Sequence, residues 1–92
     1  MIFAGQTNLT IELETSVSLA AVTSVWIYYI KPNNAAGQWE GVVSGTKITY
    51  SLVSGDLDVP GDWRIWSYVI FSNGKIGVGD AVKMTVKKQG DL

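Results

Sequence analysis

Apolar side chains in this chain recur at every second position, the period of a strand and not of a helix. Residues 7–14 set the pattern: Leu9, Ile11 and Leu13 fall on one side, Thr10, Glu12 and Glu14 on the other. Residues 24–31 (SVWIYYIK) are β-branched or aromatic almost throughout and stop at Pro32, which cannot donate to a ladder. That segment has no polar face, so parity alone leaves open which of its sides is core. Residues 16–23 read as a loop or as a short helical turn, and PNNAAG at 32–37 as a loop.

Two hairpins come with a register. Gly45-Thr46 puts glycine first, as a type II′ turn requires. Ser44 then faces Lys47, Val43 faces Ile48, Gly41 faces Tyr50 and Trp39 faces Leu52. Asn73-Gly74 is a strong two-residue hairpin signal and sets Ser72 against Lys75. Phe71 then faces Ile76, Val69 faces Val78, Ile65 faces Val82 and Trp63 faces Met84. The polar pair on that face, Ser67 with Asp80, is where a bulge is expected. A slip of one residue would send every side chain to the other face. Between the hairpins, SGDLDVPGD at 54–62 is turn-rich and is expected to carry the chain across, from one sheet to the other.

Ninety-two residues make one domain, which buries only about 60–65% of its unfolded surface. There is no Cys and no His, so disulfides, thiol chemistry and the usual zinc sites are excluded. Apolar burial alone must hold the fold. Four Trp and four Tyr supply much of it, at about 150–250 Å² each. These features predict an all-β protein, an antiparallel immunoglobulin-like β-sandwich of about six to seven strands. It occupies 1–92 as a single domain, with its core at 7–87 and a frayed tail at 88–92.

Net charge is −1 and the seven basic residues are scattered, which argues against nucleic acid or an anionic membrane as a partner. No apolar run approaches the ~20 residues of a membrane span. The segment MIFAGQTNLT lacks the marks of a secretion signal, so the Asn8-Leu9-Thr10 triplet is not expected to be glycosylated. Asp56 and Asp58 have the D-x-D spacing that can open a calcium loop, but no complete loop motif follows, and Asp beside Gly and Pro is ordinary turn chemistry. Glu12 and Glu14 share a solvated face with nothing apolar to split their pKa values. Without histidine there is no Ser–His–Asp arrangement, and no glycine-rich phosphate loop is present. The expectation is therefore a non-enzyme with no catalytic residues, no metal site and no cofactor.

The informative anomaly is the second face of the last hairpin. Trp66, Tyr68 and Ile70 point away from the expected core, and the register puts Ala81, Gly79 and Gly77 across from them. Rings over glycines can be a structural device that shields the backbone. Alternatively, Trp66, Tyr68 and Ile70 join Trp26, Tyr28 and Ile30 in an apolar patch of the kind found at interfaces. These six residues are the binding candidates. Flat aromatics can also stack on sugars, although polar groups to fix hydroxyls are lacking beside Trp66 and Tyr68. Unpaired strand edges, in the N-terminal strand or at 83–88, offer a further route to partners, unless Lys83, Lys87 and Lys88 act as gatekeepers.

The strand ending in YYIKPNN with Trp39 after a short loop, and the run SGDLDVPGDWRIWSYVIFSNGK, together resemble small immunoglobulin-like structural proteins of tailed phages and prophages. They are similar also to the N-terminal domain of phage baseplate upper proteins, over residues 7–87. The resemblance implies a non-enzymatic phage or prophage structural accessory. Such a protein acts by protein–protein binding in virion or tail assembly or in host attachment, its partner itself or a larger phage structural protein. It implies synthesis in the bacterial cytoplasm and residence in the virion. The alternative expectation is a carbohydrate-binding module for cell-surface glycans.

Overall fold

The longest strand threads the whole molecule, and the other elements are best placed by reference to it. In the computed structural model, which describes residues 2–90, it is the seventh of nine strands. These are β1 (Ile2–Phe3), β2 (Thr10–Glu14), β3 (Val22–Ile30), β4 (Ala36–Glu40), β5 (Val42–Ser44), β6 (Lys47–Ser51), β7 (Gly61–Phe71), β8 (Ile76–Val78) and β9 (Val82–Lys87). One sheet runs β1-β9-β7-β3-β4, with β8 also on β7; the other runs β2-β6-β5. All pairs are antiparallel except β1 with β9. The protein is thus all-β, an immunoglobulin-like sandwich of two sheets, as the alternation predicts.

Parity decides the core. Val25, Ile27 and Tyr29 of β3 face inward beside Trp63, Ile65 and Val69 of β7, and meet Ile11, Ile48 and Tyr50 from the other sheet. Ile27, Ile48, Leu57, Trp63 and Val86 are almost wholly enclosed. The strand at 24–31 therefore does have a core side, the one carrying Val25, Ile27 and Tyr29, and Trp26, Tyr28 and Ile30 lie outside.

The extra strands have physical causes. The first hairpin keeps its expected turn: Gly45 has φ 64, and Ser44 faces Lys47 and Val43 faces Ile48. Its outer strand, however, does not continue to pair Trp39 with Leu52. The chain leaves one sheet for the other at Gly41, so that β4 lies on β3 and Trp39 faces Ile27. Gly41 makes this possible because a Cβ there would run into Ile48 Cγ2. The expected core boundary at 7 also moves, since Ile2–Phe3 pairs with Val86 and Lys87. Of the expected frayed tail, residues 91–92 lie outside the described residues, while Gln89 is tied back, its Nε2 donating to Ala4 O at 2.7 Å.

The second hairpin is shifted by one. Gly74 has φ 83, but Asn73 keeps a negative φ, so the two-residue turn with both central residues left-handed does not form. Instead Ser72, Asn73 and Gly74 make a three-residue loop, closed by Phe71 N to Lys75 O at 2.8 Å and Gly74 N to Phe71 O at 2.9 Å. Asn73 Oδ1 accepts from Lys75 N at 3.0 Å. Tyr68 therefore faces Val78, Val69 faces Gly77 and Ile70 faces Ile76. Further along, Ile65 faces Val82 and Trp63 faces Met84, as the sequence predicts. The extra residue that restores the register lies at Asp80 and Ala81, between Gly79, still bonded to Ser67, and Val82. A bulge is thus present, opposite Trp66 and one residue from the expected Ser67–Asp80 pair.

Candidate functional site

The six candidates lie together on the outer face of the larger sheet. Trp26 faces Tyr68 across the β3–β7 ladder, Tyr28 faces Trp66, and Ile70 follows on the same side. All six are half-buried, because they cover one another. Tyr28 and Tyr68 stack at 4.8 Å between centroids with 10° between planes, and Tyr28 meets Trp66 edge-on at 5.9 Å.

The glycines expected beneath these rings are elsewhere. With the register shifted, Gly77 lies against Val69 and Phe71, and Gly79 against Ser67 Oγ, all on the inner face. Tyr68 faces Val78 and Ile70 faces Ile76 instead, which remain 62% and 56% exposed and extend the patch by a third strand. The shielding account of the aromatic–glycine pairs is thereby removed. Ile76 and Val78 were missed because an Asn-Gly pair is compatible with both loop lengths. One signal favoured the longer loop: the two-residue register puts both β-branched residues of β8 inward and its Gly77 outward, against the usual worth of a side chain on an exposed strand face.

The carboxylates do not converge. Asp56 Oδ2 accepts from the Tyr50 hydroxyl and from the Val53 amide, both at 2.8 Å. Burial, and then Asp56 beside it, push the Tyr50 hydroxyl up to about 12. Asp58 is paired with Lys31 at 2.9 Å, and this hydrogen-bonded ammonium holds its carboxyl below the usual range. Asp62 accepts from Thr85 Oγ1 at 2.9 Å. Each acid has its own partner, as turn and ladder chemistry would have it. Glu12 meets Lys47 at 3.5 Å, and donors at Thr46 and at the Ser16 amide hold Glu14 below its usual range.

Among the described residues no helix is long and apolar enough to cross a membrane. No family model and no curated protein matches the chain. Among solved structures it is similar to CopC from Methylosinus trichosporium OB3b, at 14% identity and TM-score 0.63, over 99% of this chain and 85% of that one. The likeness supports the sandwich fold. It also corrects the functional expectation: the likeness is to CopC and not to a tail or baseplate component, so the role as a phage structural accessory in the virion is withdrawn. The glycan-binding alternative falls with it. Its physical basis is weak as well, because the faces of Tyr28 and Tyr68 are turned to each other and not to a sugar ring.

Proposed function

We propose that this protein is a non-catalytic binding module whose outer aromatic face packs against the same face of a second copy. The observation that carries the reading is the continuity of the patch. Trp26, Tyr28, Trp66, Tyr68, Ile70, Ile76 and Val78 adjoin across three neighbouring strands on the solvent side of a sheet whose other side is already core. Apolar surface of this extent gains free energy by leaving water. Aromatic side chains do so at low entropic cost.

The rim suits an isologous contact. Glu40 stands level with Trp26 at one corner, and Arg64 and Lys83 lie level with Ile30 at the opposite corner. A two-fold axis across the patch brings unlike charges together, the self-complementarity such an interface needs. Light scattering across a dilution series tests the reading. The expected result is a concentration-dependent dimer that Trp66→Ala shifts to monomer while the circular dichroism spectrum is kept. A parent protein that stays monomeric throughout the series overturns it.

A further inference from the structure

The flank between β2 and β8 is open. A groove of about 730 Å³ runs there between the sheets, its floor made by Val69, Phe71 and Ser67 of β7 and its walls by β2 and β8. Three of its apolar residues remain substantially exposed: Val82 at 46%, although its partner Ile65 is core, Val17 at 51%, and Val78, which also belongs to the outer patch. Ser67 is 8% exposed, and its hydroxyl bonds to no other described residue.

Both walls end in unpaired backbone. Leu52 N donates to Leu9 O, and Thr15 N donates to Thr46 O, each at 3.0 Å. In an antiparallel ladder this places the odd-numbered residues of β2 toward β6, so the N–H and C=O of Thr10, Glu12 and Glu14 point to the side where none of the described strands lies. The bonds Phe71 N to Lys75 O and Gly79 N to Ser67 O likewise turn the backbone of Ile76 and Val78 away from β7. Charge on this flank has one sign. Glu12, Glu14 and Asp80 line the groove, no Lys or Arg among the described residues lines it, and the ion pair of Glu12 lies on the β6 side.

We infer that this flank takes up an extended segment of a partner protein, with alternating apolar and basic residues, as an added strand on the free edge of β2. The added strand's inward side chains fill the groove over Val69 and Phe71. Its outward ones stand beside Glu12 and Glu14, where cross-strand pairing favours Lys or Arg. Five residues suffice, since β2 offers about 17 Å of edge. The residues at 83–87, whose edge is partly taken by β1, do not offer an equivalent site.

A short synthetic peptide of alternating lysine and valine tests this on the whole protein. The expected result is binding that slows amide hydrogen exchange at Thr10, Glu12 and Glu14 about tenfold or more. Glu12→Lys with Glu14→Lys should weaken that binding about tenfold or more, as should alternate N-methylation of the peptide, while Trp66→Ala leaves it unchanged. Lack of binding overturns the inference, and so does binding that leaves those three amides unprotected. Protection of the same amides in a dimer of the protein alone also overturns it, in favour of a second copy as the occupant.

Discussion

β7 passes through two halves of the sandwich that differ in how they are filled. In the half around Trp63, four aromatic residues close the space between the sheets. Tyr29, Trp39 and Trp63 lie within 6.0 Å of one another between centroids, and Tyr50 stacks on Trp39 at 5.0 Å. Trp63 Nε1 donates to Val59 O at 2.8 Å, and the Lys31 ammonium lies 5.6 Å above its ring. In the half around Val69 and Phe71, the inner positions opposite are Gly77 and Gly79, and the groove begins. The same strand with the same alternation thus ends in a packed core at one end and an unfilled layer at the other. Inward parity therefore marks which side a residue takes; enclosure depends on how much side chain the facing strands bring.

The comparison breaks first on aromatic truncation. Trp63→Ala should cost about 3–5 kcal/mol, since it removes a fully enclosed ring and opens a cavity among three others. Phe71→Ala, at the rim of the groove, should cost less than half of that. Urea midpoints for the two variants check the ratio, and near-equal losses would mean that the two halves are equally tight.

Glycine tests the same contrast at a smaller scale. Gly41→Ala places a methyl against buried Ile48 where the chain changes sheets, and should cost about 1–3 kcal/mol. At Gly77 the methyl would approach Val69 Cγ2 at 3.1 Å and Phe71 Cε2 at 3.3 Å, beside open space into which Phe71 can move. Gly77→Ala should therefore be neutral within about 0.5 kcal/mol or slightly stabilising, as alanine is less costly than glycine to order in a strand. Thermal midpoints decide both. A finer pair is polar. Tyr50→Phe leaves Asp56 short of one donor and should cost about 1 kcal/mol, whereas Ser67→Ala removes a hydroxyl that bonds to no described residue and should change little.

The same contrast explains how far the chain could be read from its letters. Side alternation put Trp66 and Tyr68 outside and Trp63 and Ile65 inside, and it grouped Trp26 with Tyr28, but only the packing of β3 beside β7 decides that this pair lies on the outer face. Gly45-Thr46 gave its register correctly. Asn73-Gly74 did not, because the φ of Asn73 is settled by the loop as a whole, and with it the placement of Ile76 and Val78. The change of sheet at Gly41 was hidden for another reason. Strands β3 and β6 compete for Trp39 on side-chain fit, and a local reading of the hairpin considers only β6. The open flank was illegible in the same way: it is a property of what two sheets fail to bring together.

The smallest effects are electrostatic and come from one carboxylate in each half. Asp58 is anchored to Lys31, whose side chain is 18% exposed and whose ammonium also sits near the rings of Tyr29 and Trp63. Glu14 lies on the open flank, hydrogen-bonded by Thr46 and by the Ser16 amide. Both are held below their unfolded values. Each therefore adds stability that is complete above about pH 5 and is lost as the pH falls through its folded pKa. For Asp58, whose side chain is 49% exposed, the contribution should stay below about 1 kcal/mol. Asp58→Asn and Glu14→Gln should each lower the urea midpoint at neutral pH and flatten its acid slope. The two should part in high salt. The Lys31 pair is partly screened, so the Asp58→Asn loss shrinks, while the loss at Glu14 depends on neutral donors and persists. Equal salt sensitivity at the two sites would mean that a charge near Glu14, and not its hydrogen bonds, sets its ionisation, with Lys47 as the cation responsible.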